Sequence, residues 1–197
     1  MMVAQTTNSR LKQKFADEIC PKLQETFGLK NANQLPKLAK ITISVGIGKQ
    51  LENQKLKPEI RDTVISTLST ISGQKPIMIR ARKSVANFKV REGAPSSFMV
   101  TLRREKMWNF LDRLINLACP RIKDFRGLKT TSFDKGGSYS FGLSEQAVWP
   151  EINMANVHFT HGMNINICFD RSNADMSRFA LKELGMPFAR KDDGLRR

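Results

Sequence analysis

The sequence predicts an α+β fold, a mostly antiparallel sheet with helices packed on one face and a long basic loop that protrudes from it. Runs in which apolar and polar residues alternate indicate half-buried strands, and runs with an apolar residue every three or four positions indicate amphipathic helices. These runs follow one another without the strict strand–helix–strand alternation that is typical of parallel sheets. A length of 197 residues, 40% of them apolar, suits one such domain with a substantial core.

The first three elements in chain order are a helix, a strand and a second helix. An apolar residue every four positions marks the stripe of the first helix: Leu11, Phe15, Ile19, Leu23 and Phe27. Pro21 falls within this stripe, and because proline removes a helical hydrogen bond we expect a kink or break there. Alternation over 40–47 predicts a half-buried strand. Pro58 and Gly73 then delimit the second helix, at positions where proline and glycine favour helix ends.

Two basic strands and a third helix follow. Alternation predicts strands at 77–80 and 97–103, joined by a long basic loop at roughly 81–96. Residues 104–119 predict an amphipathic helix that Pro120 ends.

The last third of the chain mixes loop, strand and helix. Residues 121–151 are rich in glycine and aromatic residues, and they predict a loop with a short hairpin. Alternation over 163–170 predicts the last strand, and 174–184 predicts the last helix, which stops at Gly185. The uncovered face of the sheet would then show Thr, Ser, Arg and Asn.

The chain ends indicate the domain boundaries, and the first residues and the cysteines indicate the cellular compartment. We expect a single α+β domain at 9–190, a flexible N terminus at 1–8 and a charged, flexible tail at 191–197. The first residues contain no apolar signal-peptide core and no apolar run reaches membrane-spanning length, so we expect a cytoplasmic protein without a membrane partner. Three cysteines far apart predict buried free thiols in a reducing compartment; they are Cys20, Cys119 and Cys168.

Charge gives the main functional signal. The chain carries 33 Lys and Arg against 18 Asp and Glu, a net charge of +15, and residues 75–106 hold close to half of that excess. Such a surface suits a polyanion, and nucleic acid is the leading partner. Phe88 lies among the cations of 81–91, where an aromatic ring suits stacking on bases. A second cluster at 121–129 repeats the cation–aromatic pattern, and its candidate RNA contacts are Arg121, Lys123 and Arg126.

No segment predicts catalysis, a metal site or a cofactor. Gly46, Gly48 and Lys49 end the first strand without the longer signature of a phosphate-binding loop, so a tight turn that a ligand can approach closely is the better interpretation. His158 and His161 are spaced like half of a metal site, but no Cys or carboxylate cluster completes it. We interpret both as surface or turn residues and expect a protein that is not an enzyme.

Several segments resemble the L5 family of large-subunit ribosomal proteins, most closely its bacterial branch. They are SGQKP at 72–76, ARKSVANFKVREG at 81–93, PRIKDFRGL at 120–128 and SFDKGGSYSFGLSEQAVWPEI at 132–152. The resemblance runs from about residue 9 to 190. It implies an α+β fold built on an antiparallel sheet, and a non-enzymatic protein that binds 5S rRNA and nearby large-subunit rRNA in the central protuberance. It further implies a protruding loop that reaches the peptidyl-site tRNA, and neighbouring ribosomal proteins that include a small-subunit bridge partner.

Matching positions in the family assign roles to residues of this chain. The implied 5S-facing residues are Ser44, Gly46, Gly48, Gly73, Gln74 and Lys75. The implied tRNA-facing loop covers 81–91, with candidates Arg82, Lys83, Ser84, Asn87, Phe88, Lys89 and Arg91. The family usually has Asn where this chain has Ser44 and Gly where it has Asn87. Asparagine tolerates left-handed backbone next best after glycine.

One alternative stays open on the residues alone. A non-ribosomal RNA-binding protein, such as an RNA chaperone or translational repressor, would show the same basic clusters. Co-sedimentation with large subunits in high salt would separate the two hypotheses.

Overall fold

The computed structural model describes residues 9–52, 55–88, 90–157 and 159–189. The expected flexible N terminus at 1–8 and tail at 191–197 lie outside the described residues. The described chain divides into two compact units. We call the unit formed by 41–102 and 140–166 the sheet unit, and the remainder the helical unit. The expected single domain at 9–190 stays a prediction.

A five-stranded antiparallel sheet confirms the predicted fold class. Its strands are β1 Lys37–Gly46, β4 Ile77–Arg80, β5 Pro95–Leu102, β6 Tyr139–Leu143 and β7 Met163–Asp170, in the spatial order β4-β5-β1-β7-β6. Two short strands, β2 Leu51–Glu52 and β3 Lys55–Leu56, form a separate antiparallel pair. Ile43 lies opposite Val100 in the β1–β5 pair, and Ile77 lies opposite Met99 in the β4–β5 pair.

One face of β1 and β5 is buried, as the alternation predicts. Val45 is 0% exposed and Phe98 is 1% exposed, and helix α3, Pro58–Ser72, lies against β5. Val64 and Leu68 on α3 are fully buried. The predicted ends of this helix are confirmed, because Pro58 is its first residue and Gly73 its left-handed C-cap at φ 66°.

The other face of the sheet carries the polar residues that the pattern predicts. Opposite residues of an antiparallel pair point to the same side, so Ser44, Met99 and Ile77 form one row across this face. We call it the outer face. Asn164 of β7 is exposed. Ile77 is 69% exposed because the edge strand β4 places it on this side rather than over the core.

The helical unit contains two helices that change hydrogen-bond spacing just before a Cys–Pro pair. The first runs through α1 Arg10–Lys14, a π-helical turn at Phe15–Ile19 and α2 Cys20–Phe27. The second runs through α4 Arg104–Arg113, a π-helical turn at Leu114–Ala118 and a 3-10 turn at Cys119–Arg121. A proline donates no backbone hydrogen bond, and a single π-helical turn inside an α-helix can accommodate such a local irregularity while the helix continues. The predicted irregularity at Pro21 therefore occurs as a π-turn, and helical structure continues past it.

Helix α5, Ala174–Glu183, completes the helical unit, in which α1 lies against α4 and α2 against α5. The Phe27 and Phe179 rings meet edge to face at 6.0 Å. Among the cysteines, only Cys119 has the predicted full burial, and burial raises the pKa of its thiol to about 11. Cys20 and Cys168 are half-buried, and all three are free thiols, as predicted.

Residues 121–151 contain a short antiparallel turn of the kind predicted. Phe133 pairs with Tyr139, and the N–H of Asp134 donates to the carbonyl of Ser138 at 3.0 Å. The strand that begins at Tyr139 is also the edge of the main sheet, which was not predicted. No described helix has the length and apolar composition that a bilayer span requires.

Candidate nucleic-acid interface

The basic loop connects β4 to β5 over residues 81–94 and is closed near its tip. Val85 and Val90 exchange two backbone hydrogen bonds, of 2.9 and 3.2 Å. The Oγ of Ser84 accepts a hydrogen bond from the backbone N–H of Glu92 at 2.9 Å. These bonds fix the base of the tip and leave its side chains directed outward. The protrusion of the loop from the sheet stays a prediction.

The described candidate residues of this loop are all exposed: Arg82, Lys83, Ser84, Asn87, Phe88 and Arg91. Lys89 lies outside the described residues. Within the described part of the chain, the side chains of Arg82, Lys83 and Arg91 have no ion pair or hydrogen bond with another group. Their charges are therefore free to neutralise phosphates.

Phe88 is the most exposed large apolar side chain of the described residues, at 79%. An aromatic ring left in water beside cations suits a ligand that both stacks and carries negative charge. RNA has both properties.

Two glycines at the end of β1 leave open space at the surface. A Cβ atom built on Gly46 or Gly48 would meet no atom within 4 Å, and neither backbone lies in the left-handed region. The fold itself therefore does not require glycine at these positions. Glycine within a strand is less stable than alanine by about 0.5–1 kcal/mol, and a ligand that approaches the backbone closely gives a reason to keep it.

Gly162 shows the contrast. A Cβ atom there would lie 2.7 Å from the carbonyl oxygen of Leu143 and 3.1 Å from that of Ser144. Packing excludes a side chain at Gly162, whereas at Gly46 and Gly48 it does not.

A groove of about 640 Å³ joins the end of β1 to the tip of the basic loop. Its floor includes Gly46 and Gly48, one wall includes Phe88 and Val90, and the other wall is the segment 159–162. The structure thus brings together residues from both implied sets, the 5S-facing and the tRNA-facing. The third segment has no basic residue or known motif, so the sequence reasoning missed it.

A buried glutamine holds this third segment in place. Gln146 is 0% exposed, its Nε2 donates to the carbonyl of Phe159 at 2.8 Å, and its Oε1 accepts from the backbone N–H of His161. Two hydrogen bonds to residues on either side of Thr160 fix the backbone there and leave Thr160 exposed. The wall is therefore formed before any ligand arrives.

The interpretation of His161 as a surface or turn residue was wrong. Its side chain is only 5% exposed, because Gln146 binds the His161 backbone N–H and the Phe159 ring stacks on the imidazole, with ring centroids 6.0 Å apart. Burial lowers the pKa of His161, so the imidazole is neutral at physiological pH. His158 lies outside the described residues. Among the described residues, no three His, Cys, Asp or Glu side chains are grouped to hold a metal ion.

The turn from α3 to β4 carries three further candidates. Gly73 donates its N–H to the Ser69 carbonyl at 2.9 Å in the left-handed cap. Gln74 donates its Nε2 to the carbonyl of Thr101 at 2.8 Å, so this implied RNA contact also ties the turn to β5. Lys75 is exposed and has no partner among the described residues.

The second basic cluster lies in the helical unit and is anchored by the C-terminal segment. Its candidates are all exposed: Arg121, Lys123 and Arg126. Leu128 donates its N–H to the Pro187 carbonyl at 2.8 Å and accepts from the N–H of Ala189 at 3.0 Å. Gly127 has φ 97°, and a Cβ there would lie 2.5 Å from Ala189, so the fold requires glycine at this turn. The three cations therefore extend from a fixed backbone.

Comparisons with known proteins decide the family. The family model described as ribosomal protein L5 matches residues 31–91, and the model described as the C-terminus of the same ribosomal family matches residues 95–188. The chain belongs to the ribosomal protein L5 family. It is therefore a structural ribosomal protein of the large subunit and not an enzyme.

Relatives of known identity cover almost the whole chain. The large ribosomal subunit protein uL5 of Synechocystis sp. is 49% identical over 179 residues, which are 91% of this chain and 97% of the relative. The uL5 protein of Bdellovibrio bacteriovorus is 47% identical over 180 residues, 91% of this chain and 98% of the relative. That of Geobacter sulfurreducens is 45% identical over 180 residues, with the same two shares. The resemblance to the bacterial branch is thereby confirmed.

Proposed function

We propose that this L5 family member binds 5S rRNA in the central protuberance and contacts the peptidyl-site tRNA through the basic loop at 81–91, within cytoplasmic ribosomes. Its further partners are large-subunit rRNA and neighbouring ribosomal proteins, including a small-subunit bridge partner. The observation that supports the 5S contact is the open space above Gly46 and Gly48. The fold does not require glycine at either position, and a folded RNA can occupy this space.

Polar groups beside these glycines suit the RNA backbone and ribose. The outer face presents Ser44 and Asn164 on neighbouring strands. Hydroxyl and amide groups bond phosphate oxygens and ribose 2′-hydroxyls, which position a protein on folded RNA. Lys75 at the edge of the same unit adds an exposed charge without a protein partner among the described residues.

The two basic clusters supply the long-range attraction. The cations of the loop are unpaired, and Arg121, Lys123 and Arg126 in the helical unit are unpaired as well among the described residues. We assign the second cluster to large-subunit rRNA. Each phosphate that such cations neutralise steepens the fall of log affinity with log salt by roughly 0.7–0.9.

Titration of the purified chain with 5S rRNA at several salt concentrations tests this function. We expect a steep salt dependence and a clear preference for 5S rRNA over unrelated RNA of the same length. Equal affinity for both RNAs, or affinity that does not change with salt, would contradict specific 5S binding.

A further inference from the structure

A small cleft in the sheet unit is lined by hydroxyl groups. It has a volume of about 200 Å³ and lies between helix α3 and the segment 151–157. Its helical wall is a stripe of residues three or four positions apart, which share one face of α3: Thr63, Ser66, Thr67 and Thr70. The opposite wall contains Glu151, Ile152, Asn153 and Val157. None of the described lining residues is basic.

Thr67 contributes to this cleft a hydroxyl that the fold does not use. Serine and threonine within a helix commonly bond the carbonyl four residues earlier, and two neighbours on α3 do so. Thr63 donates to the Glu59 carbonyl at 2.8 Å, and Ser72 donates to the Leu68 carbonyl at 2.6 Å. Thr67 is only 3% exposed, and its hydroxyl has no hydrogen-bond partner among the described residues. Because buried polar side chains nearly always have a partner, this hydroxyl is suited to a ligand in the cleft.

The charges around the cleft favour a cation. The segments 58–72 and 140–157 contain one of the chain's 33 Lys and Arg, which is Arg61. They contain four carboxylates, so together they carry −3 in a chain of +15: Glu59, Asp62, Glu145 and Glu151. Glu59 and Asp62 are exposed and lie one turn before members of the hydroxyl stripe. A phosphate group here would meet carboxylates rather than cations, which disfavours RNA.

The lining groups of the cleft accept hydrogen bonds and also offer apolar surface. Thr63 gives its proton to a backbone carbonyl, so its oxygen is left as an acceptor, and the Glu151 carboxylate can only accept. An ammonium group has three N–H donors and no acceptor. Ile152 and Val157 are half-buried and can contact methylene groups. The volume is below the range of about 300–1,000 Å³ typical of small-molecule pockets, so the cleft suits one narrow chain.

We propose that this cleft binds an alkylammonium group, an ammonium head on a methylene chain. The head donates to the hydroxyl of Thr67 and the carboxylate of Glu151. The methylene chain lies against Ile152 and Val157, as the apolar stem of a lysine lies on apolar surface. A lysine of a neighbouring ribosomal protein and a free polyamine share this chemistry. The inference goes beyond the proposed RNA contacts and does not depend on them.

Titration of the full chain with n-butylammonium at low salt, followed by backbone amide chemical shifts, tests the site. We expect saturable shifts that cluster at α3 and 151–157, and no saturable shift with the neutral analogue n-butanol. Thr67→Val keeps the branched shape of the side chain and removes the hydroxyl. It should weaken n-butylammonium binding about tenfold, because hydrogen bonds to charged groups are stronger than those between neutral groups. The thermal unfolding midpoint should stay the same or rise, because a buried hydroxyl without a partner is gone.

A second variant tests the charge on the opposite wall. Glu151→Gln should weaken n-butylammonium binding and reduce its dependence on salt, because added ions screen the attraction between charges. Glu145→Gln is the matched control: Glu145 is exposed a few residues earlier in the chain and does not line the cleft. This control should bind n-butylammonium within about twofold of wild type, since exposed charges outside the cleft act only through a screened field.

Two larger probes identify the source of the ammonium group. Spermidine represents a free polyamine, and an end-blocked Gly-Lys-Gly peptide represents a lysine of a neighbouring protein. The probe that binds more tightly, with an affinity that Thr67→Val lowers, is the source. The proposal is overturned if n-butylammonium shifts no residue of the cleft or if n-butanol binds equally well. It is also overturned if Thr67→Val and Glu151→Gln bind n-butylammonium as tightly as Glu145→Gln does.

Discussion

Replacing Gly46 with alanine adds one methyl group at the end of β1. The added Cβ meets no atom within 4 Å, and φ lies outside the left-handed region, so the fold admits it without strain. Alanine restricts the unfolded chain and suits a strand better than glycine, so the free energy of unfolding should rise by about 0.5–1 kcal/mol. For a chain of this size that gain raises the thermal midpoint by about 1–4 °C.

The same methyl group stands on the floor of the groove where we place the RNA. A closely approaching ribose or base must then move away from the backbone, and its neighbouring hydrogen bonds lengthen. We expect 5S affinity to fall at least about tenfold, which corresponds to about 1.4 kcal/mol. Gly48→Ala should act alike, since a Cβ there also meets open space. Higher stability with lower affinity is the signature of a glycine kept for a ligand.

The assay pairs thermal unfolding with 5S titration at one fixed salt concentration. Gly162→Ala is the contrasting control: its Cβ would lie 2.7 Å from the Leu143 carbonyl oxygen, so its thermal midpoint should fall. A Gly46→Ala variant that binds 5S rRNA as tightly as wild type would refute the reasoning about the groove floor. A lower midpoint for the same variant would refute the reasoning about open space.

The remaining predictions concern the loop cations, an ion pair and a cysteine. Replacing both Arg82 and Lys83 by alanine should change the free energy of unfolding by no more than about 0.5 kcal/mol. The double variant should weaken peptidyl-site tRNA occupancy on assembled ribosomes more than it weakens 5S affinity. Collapse of 5S binding with unchanged tRNA occupancy would reverse the loop assignment. The hydrogen bond from Lys12 to Glu105, more than the one from a backbone N–H, lowers the pKa of Glu105. This pair therefore stabilises the fold above the ordinary glutamate pKa and loses that effect as pH falls through the lowered value, and Glu105→Gln should flatten thermal midpoints measured across that window. Cys119→Ala should cost about 1 kcal/mol through lost packing and leave 5S affinity unchanged; stoichiometric zinc in the wild-type chain, by metal analysis, would show that the thiol has been misinterpreted.

Local sequence patterns predicted the helices and strands whose apolar residues recur at a regular spacing. The alternation over 40–47 placed Ile41, Ile43 and Val45 on the buried face, and all three are 0% exposed. Pro58 and Gly73 marked helix ends because their backbone preferences are local. The π-turns were not predicted, since a helix that widens for one turn keeps nearly the same apolar stripe.

Features that depend on distant contacts could not be read from local patterns. Residues 121–151 were expected to form a loop with a short hairpin. The pairing of their strand β6 with β7, some twenty residues further along the chain, was not predicted because local alternation does not specify a partner. His161 was interpreted as a surface or turn residue because histidine is polar, and its burial follows from a bond to Gln146, fifteen residues earlier. Gly46 and Phe88 line the same groove, and this proximity likewise depends on how the sheet and the loop fold rather than on a local pattern.

Several features of the sheet unit lower the stability of the isolated chain, and three of them lie in the lining of this one groove. Gly46 occupies a strand position that admits alanine, Phe88 leaves an aromatic ring in water, and His161 buries a ring nitrogen without a hydrogen-bond partner among the described residues. Arg82 and Lys83 repel each other without a carboxylate partner in the described part of the chain. Departures from locally consistent structure are expected where function opposes stability. An RNA that binds at this face would occupy the open space at Gly46 and cover the Phe88 ring, so its binding free energy would offset part of the stability that these residues cost the isolated chain.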